Sequence, residues 1–302
     1  MIQPTRFGIC GSDVSFYLGH RAAPYPFLLG HEVLGRVCAV GAGVTPFDSG
    51  QRVIVEPNYP CGACAFCRSG RGNICPHKIA VGITAPGCFA ESFTAPAEFV
   101  WRVPDEISDA DAVVIEPLAV SLHALWHAGA RMGDTVAVIG CGTTGLLLIQ
   151  GAVAQSVRVL AHARSDDKRE RARALGALPA DGDEVAKLWR DENVTTVFEC
   201  AGTPEAVELA LSAAPRGSQV VLLGLAAAPA NFVPLRLVRE GIGVRGSMIY
   251  DHPEDFARTL ALVKQGRLHP SRIITDELPF AAMDRAVQMA ATGQSGKIVV
   301  TV

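Results

Sequence analysis

The sequence has no basic excess, no long apolar run and few aromatic residues. Its 27 Lys and Arg against 30 Asp and Glu leave a net charge of -3, which gives no electrostatic footprint for nucleic acid. No apolar stretch approaches the roughly 20 residues that a bilayer span requires. The opening Met1-Ile2-Gln3-Pro4-Thr5-Arg6 has no apolar core behind a basic start, so no targeting signal is read there. These absences argue against nucleic-acid and membrane partners and lead to the expectation of a cytoplasmic protein. Aromatics make up only 6% of residues, so a core of Val, Leu, Ile and Ala is expected. Internal repeats and low-complexity segments are also missing. At 302 residues the chain has room for two domains.

Cysteine is not scarce. Nine are present, and their spacing favours metal ligation in a reducing cytoplasm over disulfides. Cys61, Cys64, Cys67 and Cys75 form C-x2-C-x2-C-x7-C in a loop with almost no apolar content. Four thiolates at that spacing can close a tetrahedron around zinc with no open position, a structural site for a lobe too short to build a core. Chance clustering and an iron–sulfur cluster are the alternatives.

Two smaller groups precede this lobe. In Gly8-Ile9-Cys10-Gly11-Ser12-Asp13 a lone cysteine would ordinarily be a small buried hydrophobe. Gly30-His31-Glu32 adds an imidazole and a carboxylate, completing the donor mix of a catalytic zinc with an open position. Ser12 stands where its hydroxyl can pass on an alcohol proton, or serve only as a turn hydroxyl. Glu116 precedes Pro117 inside an apolar stretch, and such a carboxylate needs a partner that a metal would supply. His123 and His127 are read as flanking a domain junction rather than as ligands.

The stretch Val136-Ala137-Val138-Ile139-Gly140-Cys141-Gly142-Thr143-Thr144-Gly145-Leu146-Leu147-Leu148-Ile149-Gln150 orders the rest of the chain. A short apolar strand meets glycines at G-x-G-x-x-G spacing and then a helix with no breaker. The first glycine makes the turn, the second admits a pyrophosphate and the third lets helix pack on strand. The helix N-terminus then aims its free N–H groups at the phosphates. The competing reading is a plain strand–helix turn.

Before Pro117 the chain is rich in Gly and Pro, with strands expected over 33–40, 52–55 and 91–103 and no long helix. A helix is expected from there to about residue 130. Beyond the glycine fingerprint, strands over 157–161, 195–199 and 219–223 alternate with helices, one capped by Thr203 with Pro204 at its first position. A further helix is expected over 254–265.

In this order, Gly-Ile-Cys-Gly-Ser-Asp, Gly-His-Glu, the four-cysteine lobe, Glu-Pro-Leu-Ala-Val and G-x-G-x-x-G resemble the zinc-dependent medium-chain alcohol dehydrogenases. Within them the chain looks most like the polyol branch of sorbitol, butanediol and threonine dehydrogenases. The resemblance implies an α/β protein: a GroES-like β-rich catalytic domain over 1–118 with 247–302, and a Rossmann doubly wound parallel sheet over 119–246. It implies a catalytic zinc on Cys10, His31 and Glu32 or Glu116, with Ser12 opening the proton relay. Gly140, Gly142, Thr144, Gly145, Leu223 beside the nicotinamide-facing Gly224-Leu225 turn, and Lys297 at the pyrophosphate would hold the cofactor; for Lys297 the alternative is a charged residue opening an edge strand. A homodimer or homotetramer is implied as well.

The family's acidic position after the second strand falls on Ala163, followed by Arg164 and Ser165, with Lys168 one turn on. The missing acid favours NADP, whose 2′-phosphate these residues would hold, over NAD. Under the alternative, Asp166 or Asp167 takes the acid's place. Two departures stand out. The chain opens almost at the cysteine motif, where family members carry an opening strand pair, so either the start is misassigned or edge strands are lacking. Val14-Ser15-Phe16-Tyr17 also lacks a histidine common in the polyol branch, which implies an altered pocket. The expected activity is hydride transfer between a secondary alcohol (a polyol, sugar or similar), or its ketone, and a nicotinamide cofactor. An aldose 1-dehydrogenase, an amino-alcohol (threonine-type) dehydrogenase and a non-catalytic nucleotide-binding relative are the rivals, and the presence of Cys10 and His31 speaks against the last.

Overall fold

The opening residues, which carry little apolar signal, form a strand inside a sheet. In the computed structural model, which describes residues 1–180 and 184–302, β1 (Ile2–Gly8) pairs antiparallel with both neighbours. Its register slips between Pro4 and Arg6, as expected of a proline that cannot donate to the ladder. The polar Gln3, Thr5 and Arg6 around that proline hide the strand's period.

The chain divides into two units, Met1–Pro117 with Asp251–Val302, and Leu118–Tyr250. The first continues through β2 (Glu32–Val37), β3 (Arg52–Val55), the short pair β4 (Asn58–Tyr59) and β5 (Ile79–Ala80), and β6 (Val100–Arg102). The second holds β7 (Thr135–Ile139), β8 (Arg158–His162), β9 (Leu178–Pro179), β10 (Val194–Glu199), β11 (Gln219–Leu222) and β12 (Gly243–Gly246). The chain returns to the first unit for β13 (Ile274–Pro279) and β14 (Lys297–Thr301).

In the first unit the main sheet runs β13-β14-β1-β2-β3-β6. Phe7, Val33, Val53, Val55, Ile298 and Val300 form its buried face. The strand expected over 91–103 is broken: Phe93 only bridges Ile2, and a 3-10 turn after Pro96 delays the strand to Val100. Proline's missing N–H accounts for the break. Helix α1 (Gly11–Tyr17) follows Cys10 directly, α2 (Ala65–Arg68) lies in the cysteine lobe, and α3 (Asp109–Ala112) is capped by Ser108. Helix α4 (Ile115–Ala128) carries Pro117 in its first turn, where the missing N–H costs nothing.

The second unit is a parallel sheet in the order β12-β11-β10-β7-β8-β9. Its central strand β7 is buried at every residue, as strands covered on both faces are. Helices α5 (Thr143–Ala154), α6 (Asp166–Ala174), α7 (Val185–Asp191), α8 (Pro204–Ala213) and α9 (Pro234–Glu240) connect or follow the strands. Trp189, Val197, Ala210 and Val220 anchor one of its cores. Strand order reverses between β7 and β10, and in doubly wound sheets ligands bind outside the carboxyl ends at that reversal. In the first unit, α10 (Glu254–Lys264) and α11 (Met283–Ala291) complete the return segment. No helix among the described residues is long and apolar enough to cross a membrane.

Candidate active site

Two metal-type clusters lie in the first unit. Cys10 ends the turn after β1, and His31 and Glu32 open β2, which pairs with β1 through Gly8 and Glu32. The register brings a thiol, an imidazole and a carboxylate together, with donor atoms all within 4.8 Å of one another. Ser12 Oγ lies 3.4 Å from His31 Nε2. Glu116 is buried in the first turn of α4 but lies outside this three-donor group.

Asp13, a residue that the motif reading passed over, organises the cluster. It is fully buried, accepts from the Cys10 amide at 2.9 Å and from the Gly30 amide at 3.1 Å, and stands 3.5 Å from His31 Nδ1. Burial pulls the His31 pKa down, but Asp13 and Cys10 outweigh it and hold the imidazole well above its ordinary value. Three protein donors of S, N and O type, with a carboxylate behind the histidine, fit a catalytic zinc with an open position.

Lys297, expected at the cofactor's pyrophosphate, is instead buried at the start of β14. Its ammonium is ion-paired with Glu32 and donates to the Ile9 carbonyl at 2.9 Å. β14 pairs with β1, so position 297 faces the cluster rather than solvent.

The second cluster is Cys61, Cys64, Cys67 and Cys75. A tetrahedron with metal–sulfur bonds of about 2.3 Å has sulfur–sulfur edges of about 3.8 Å. The observed Sγ separations are 3.9 Å for Cys61–Cys67, 3.4 Å for Cys64–Cys67 and 3.8 Å for Cys64–Cys75. All are far longer than a disulfide, and all nine cysteines are free. The backbone amides of Ala63 and Cys64 hold Cys61 down at about 6, while burial and its sulfur neighbours push Cys67 up to about 12. The four sulfurs thus fit a structural zinc ion.

In the second unit the three fingerprint glycines divide their work. Gly140 turns with φ +91°. A Cβ on Gly145 would lie 1.9 Å from the Gly140 carbonyl oxygen, so this glycine lets α5 close on β7. A Cβ on Gly142 would meet nothing within 4 Å, and Gly142 caps α5 without a side-chain acceptor. Open space and free N–H groups therefore coincide, as an anion at a helix N-terminus requires. Ser121 Oγ donates to the Thr144 carbonyl at 3.0 Å and ties α5 to α4.

At the end of β8, Ala163 is buried while Arg164 and Ser165 are exposed, and Ser165 precedes α6. Asp166 pairs with Arg169, and Lys168 is half-buried on the same helix. Leu223 follows β11, its amide donating to the Glu199 carbonyl at 2.8 Å. Glu199 is a second residue that the motif reading missed, a fully buried carboxylate at the end of β10.

Comparison with known proteins matches residues 1–105 to the alcohol dehydrogenase GroES-like domain and residues 143–265 to the zinc-binding dehydrogenase family. A sorbitol dehydrogenase of Bacillus subtilis (strain 168) is 31% identical over 309 residues, covering 95% of this chain and 86% of that protein. Among solved structures, an alcohol dehydrogenase of Escherichia coli CFT073 complexed with NADH superposes with TM-score 0.92 at 27% identity, covering 100% of this chain and 91% of the other. A zinc-binding dehydrogenase of Sinorhizobium meliloti 1021 bound to NADP gives TM-score 0.91 at 30% identity, with coverage of 100% and 91%.

Proposed function

The chain belongs to the zinc-binding alcohol dehydrogenases with a GroES-like domain, and we propose that it oxidises a secondary alcohol of the polyol or sugar class, or reduces the matching ketone. It is a zinc-dependent oxidoreductase that uses a nicotinamide cofactor. The observation that carries the reading is the Cys10, His31 and Glu32 donor set, with His31 and Glu32 buried, beside the Ser12 hydroxyl. When bound, zinc supplies Lewis acidity toward an alcohol oxygen and the dinucleotide supplies a hydride acceptor.

The chain's own residues do the rest. Cys10, His31 and Glu32 hold the metal, and Asp13 fixes the first two through backbone and ring contacts. Glu116 stays buried outside the donor set, which supports Glu32 as the carboxylate ligand. Ser12 Oγ would accept the proton that the alcohol releases while passing its own on toward solvent, as the first member of a relay. Cys61, Cys64, Cys67 and Cys75 hold a structural zinc. Gly140, Gly142, Thr144 and Gly145 receive the pyrophosphate at the start of α5, and Leu223 flanks the nicotinamide end. Arg164 and Ser165, exposed beside the buried Ala163, support NADP over NAD.

Four thiols kept free for a metal support a cytoplasmic location. A homodimer or homotetramer is supported by β12, an exposed edge strand beside exposed Leu225, Phe232, Leu235 and Val238.

Reduced-nicotinamide absorbance is to be followed across polyols, aldoses and amino alcohols with NADP and NAD in parallel. Turnover of a polyol or ketose that vanishes in Cys10→Ser is expected. Turnover confined to aldoses or amino alcohols would move the substrate class, and full activity in Cys10→Ser would overturn the zinc assignment.

A further inference from the structure

We infer that Glu199 is a positioning residue for the dinucleotide, clamping the two glycine turns that floor the crevice where the parallel sheet reverses. The inference rests on the nucleotide-binding reading above.

Glu199 ends β10, the strand beside β7 at the reversal. One carboxylate oxygen, Oε1, accepts from the Ala201 amide at 2.7 Å and from the Gly202 amide at 2.8 Å. Its backbone carbonyl accepts from the Leu223 amide at 2.8 Å and the Gly224 amide at 3.0 Å. One residue therefore fixes the turn leaving β10 and the turn leaving β11.

The two turns touch backbone to backbone. A Cβ on Gly224 would lie 2.2 Å from the Gly202 nitrogen and 2.5 Å from Glu199 Oε2. A Cβ on Gly202 would lie 2.9 Å from the Leu225 nitrogen, and one on Gly140 would lie 2.7 Å from the Ala201 nitrogen. The exits of β7, β10 and β11 are thus stacked backbone to backbone, with the Glu199 carboxylate held among them. Oε2 is buried against Gly224 with no hydrogen bond of ordinary geometry.

Burial works against this group and raises its pKa, while the Gly202, Ala201 and Gly224 amides work the other way. A carboxylate kept buried at the end of a strand and bonded to the next turn is explained by what it orders. Unheld, the amides of Ala201 and Gly202 would turn to other acceptors and carry the Gly224 turn with them. That turn lies where the ring end of a dinucleotide would rest, while the adenosine end would lie over β8.

The test compares Glu199→Ala and Glu199→Gln with the parent enzyme in zinc-loaded form, titrating reduced dinucleotide by fluorescence and AMP by calorimetry. With the Ala201 and Gly202 amides left without their carboxylate acceptor, dinucleotide affinity should fall at least about tenfold in Glu199→Ala. AMP affinity and the alcohol KM should stay unchanged, while the cofactor KM rises. Glu199→Gln keeps one acceptor oxygen and should recover most of the loss. Parent-like dinucleotide affinity in folded Glu199→Ala would overturn the inference, as would equal losses for AMP and dinucleotide. If Glu199→Ala does not fold, the Gln variant decides: no recovery of binding in folded Glu199→Gln refutes the acceptor role. A parent enzyme that binds AMP and dinucleotide equally weakly refutes the functional reading instead.

Discussion

Gly142 and Gly145 stand three residues apart, yet substitution by alanine should affect stability very differently at the two. At Gly142 the backbone has φ -87° and ψ -165°, open to any residue, and an added Cβ meets nothing within 4 Å. Gly142→Ala should therefore fold normally, the gain from a stiffer unfolded chain being offset by alanine's poorer fit at the N-cap, so that stability stays within about 0.5 kcal/mol of the parent. At Gly145 the new Cβ would sit 1.9 Å from the Gly140 oxygen and 3.4 Å from Val138 Cγ1. The carbonyl would have to retreat by about 1.1 Å to restore a 3.0 Å contact, and it belongs to the turn of the fingerprint itself. Overpacking of this kind costs about 1–3 kcal/mol, and a rigid backbone partner places the cost at the upper end. Urea denaturation followed through buried Trp189 reads the stability of this unit, and dinucleotide titration reads the site. Both variants should lose dinucleotide affinity, but only Gly145→Ala should lose stability. A Gly142→Ala protein that binds dinucleotide as tightly as the parent would refute the pyrophosphate placement. A Gly145→Ala protein of parental stability would refute the packing argument.

Replacing Cys64 by Ser should remove about one zinc per chain by metal analysis and lower the melting temperature, since the lobe has no apolar core of its own; unchanged zinc content would count against the four-sulfur site. Lys297→Met should destabilise the zinc-free chain by roughly 3–5 kcal/mol, because it strands the buried Glu32 carboxylate. Adding Glu32→Gln should restore most of that loss, and a double variant no better than the single one would argue against the pair. The Glu56 hydrogen bond holds His252 above its ordinary 6.5. The stability it contributes is fully present below that value and fades as pH rises through the raised folded value. The melting-temperature gap between parent and His252→Gln should therefore narrow as pH rises above the ordinary imidazole value, and a gap that widens would reverse the sign. Arg164→Ala should cut NADP affinity by about tenfold or more, the worth of a charge-assisted hydrogen bond, and leave NAD unaffected; equal losses for both would remove Arg164 from the 2′-phosphate.

Motifs that act through local spacing were legible in the sequence. The four cysteines lie within 15 residues, and the glycine fingerprint sits between apolar runs of a strand and a helix, so neither needs long-range information. Strand β1 was not legible, because Pro4 and its polar neighbours mask a strand stabilised from both sides by distant partners. The pairing of Lys297 with Glu32 was not legible for a related reason. A lysine opening an apolar run reads as solvent-facing, and only the β1–β14 register turns it toward Glu32. Asp13 and Glu199 went unread because each works by accepting backbone amides from a neighbouring turn, and such acceptors leave no spacing pattern.

Charge counting explains why a fully buried lysine belongs beside a metal-type cluster. Cys10, Asp13 and Glu32, if all ionised, bring three negative charges to one partly buried pocket, and Lys297 returns one positive charge. The remainder is -2, which a divalent cation cancels with His31 neutral. A site of monovalent character would leave the pocket anionic, and a trivalent ion would leave it cationic. Buried charge is tolerated only when it is compensated. The lysine therefore lets the fold keep a carboxylate ligand beside a thiolate while matching the total to two units of positive charge. By contrast, the four-sulfur lobe lies largely exposed, where solvent shares the work of stabilising an excess of thiolate charge.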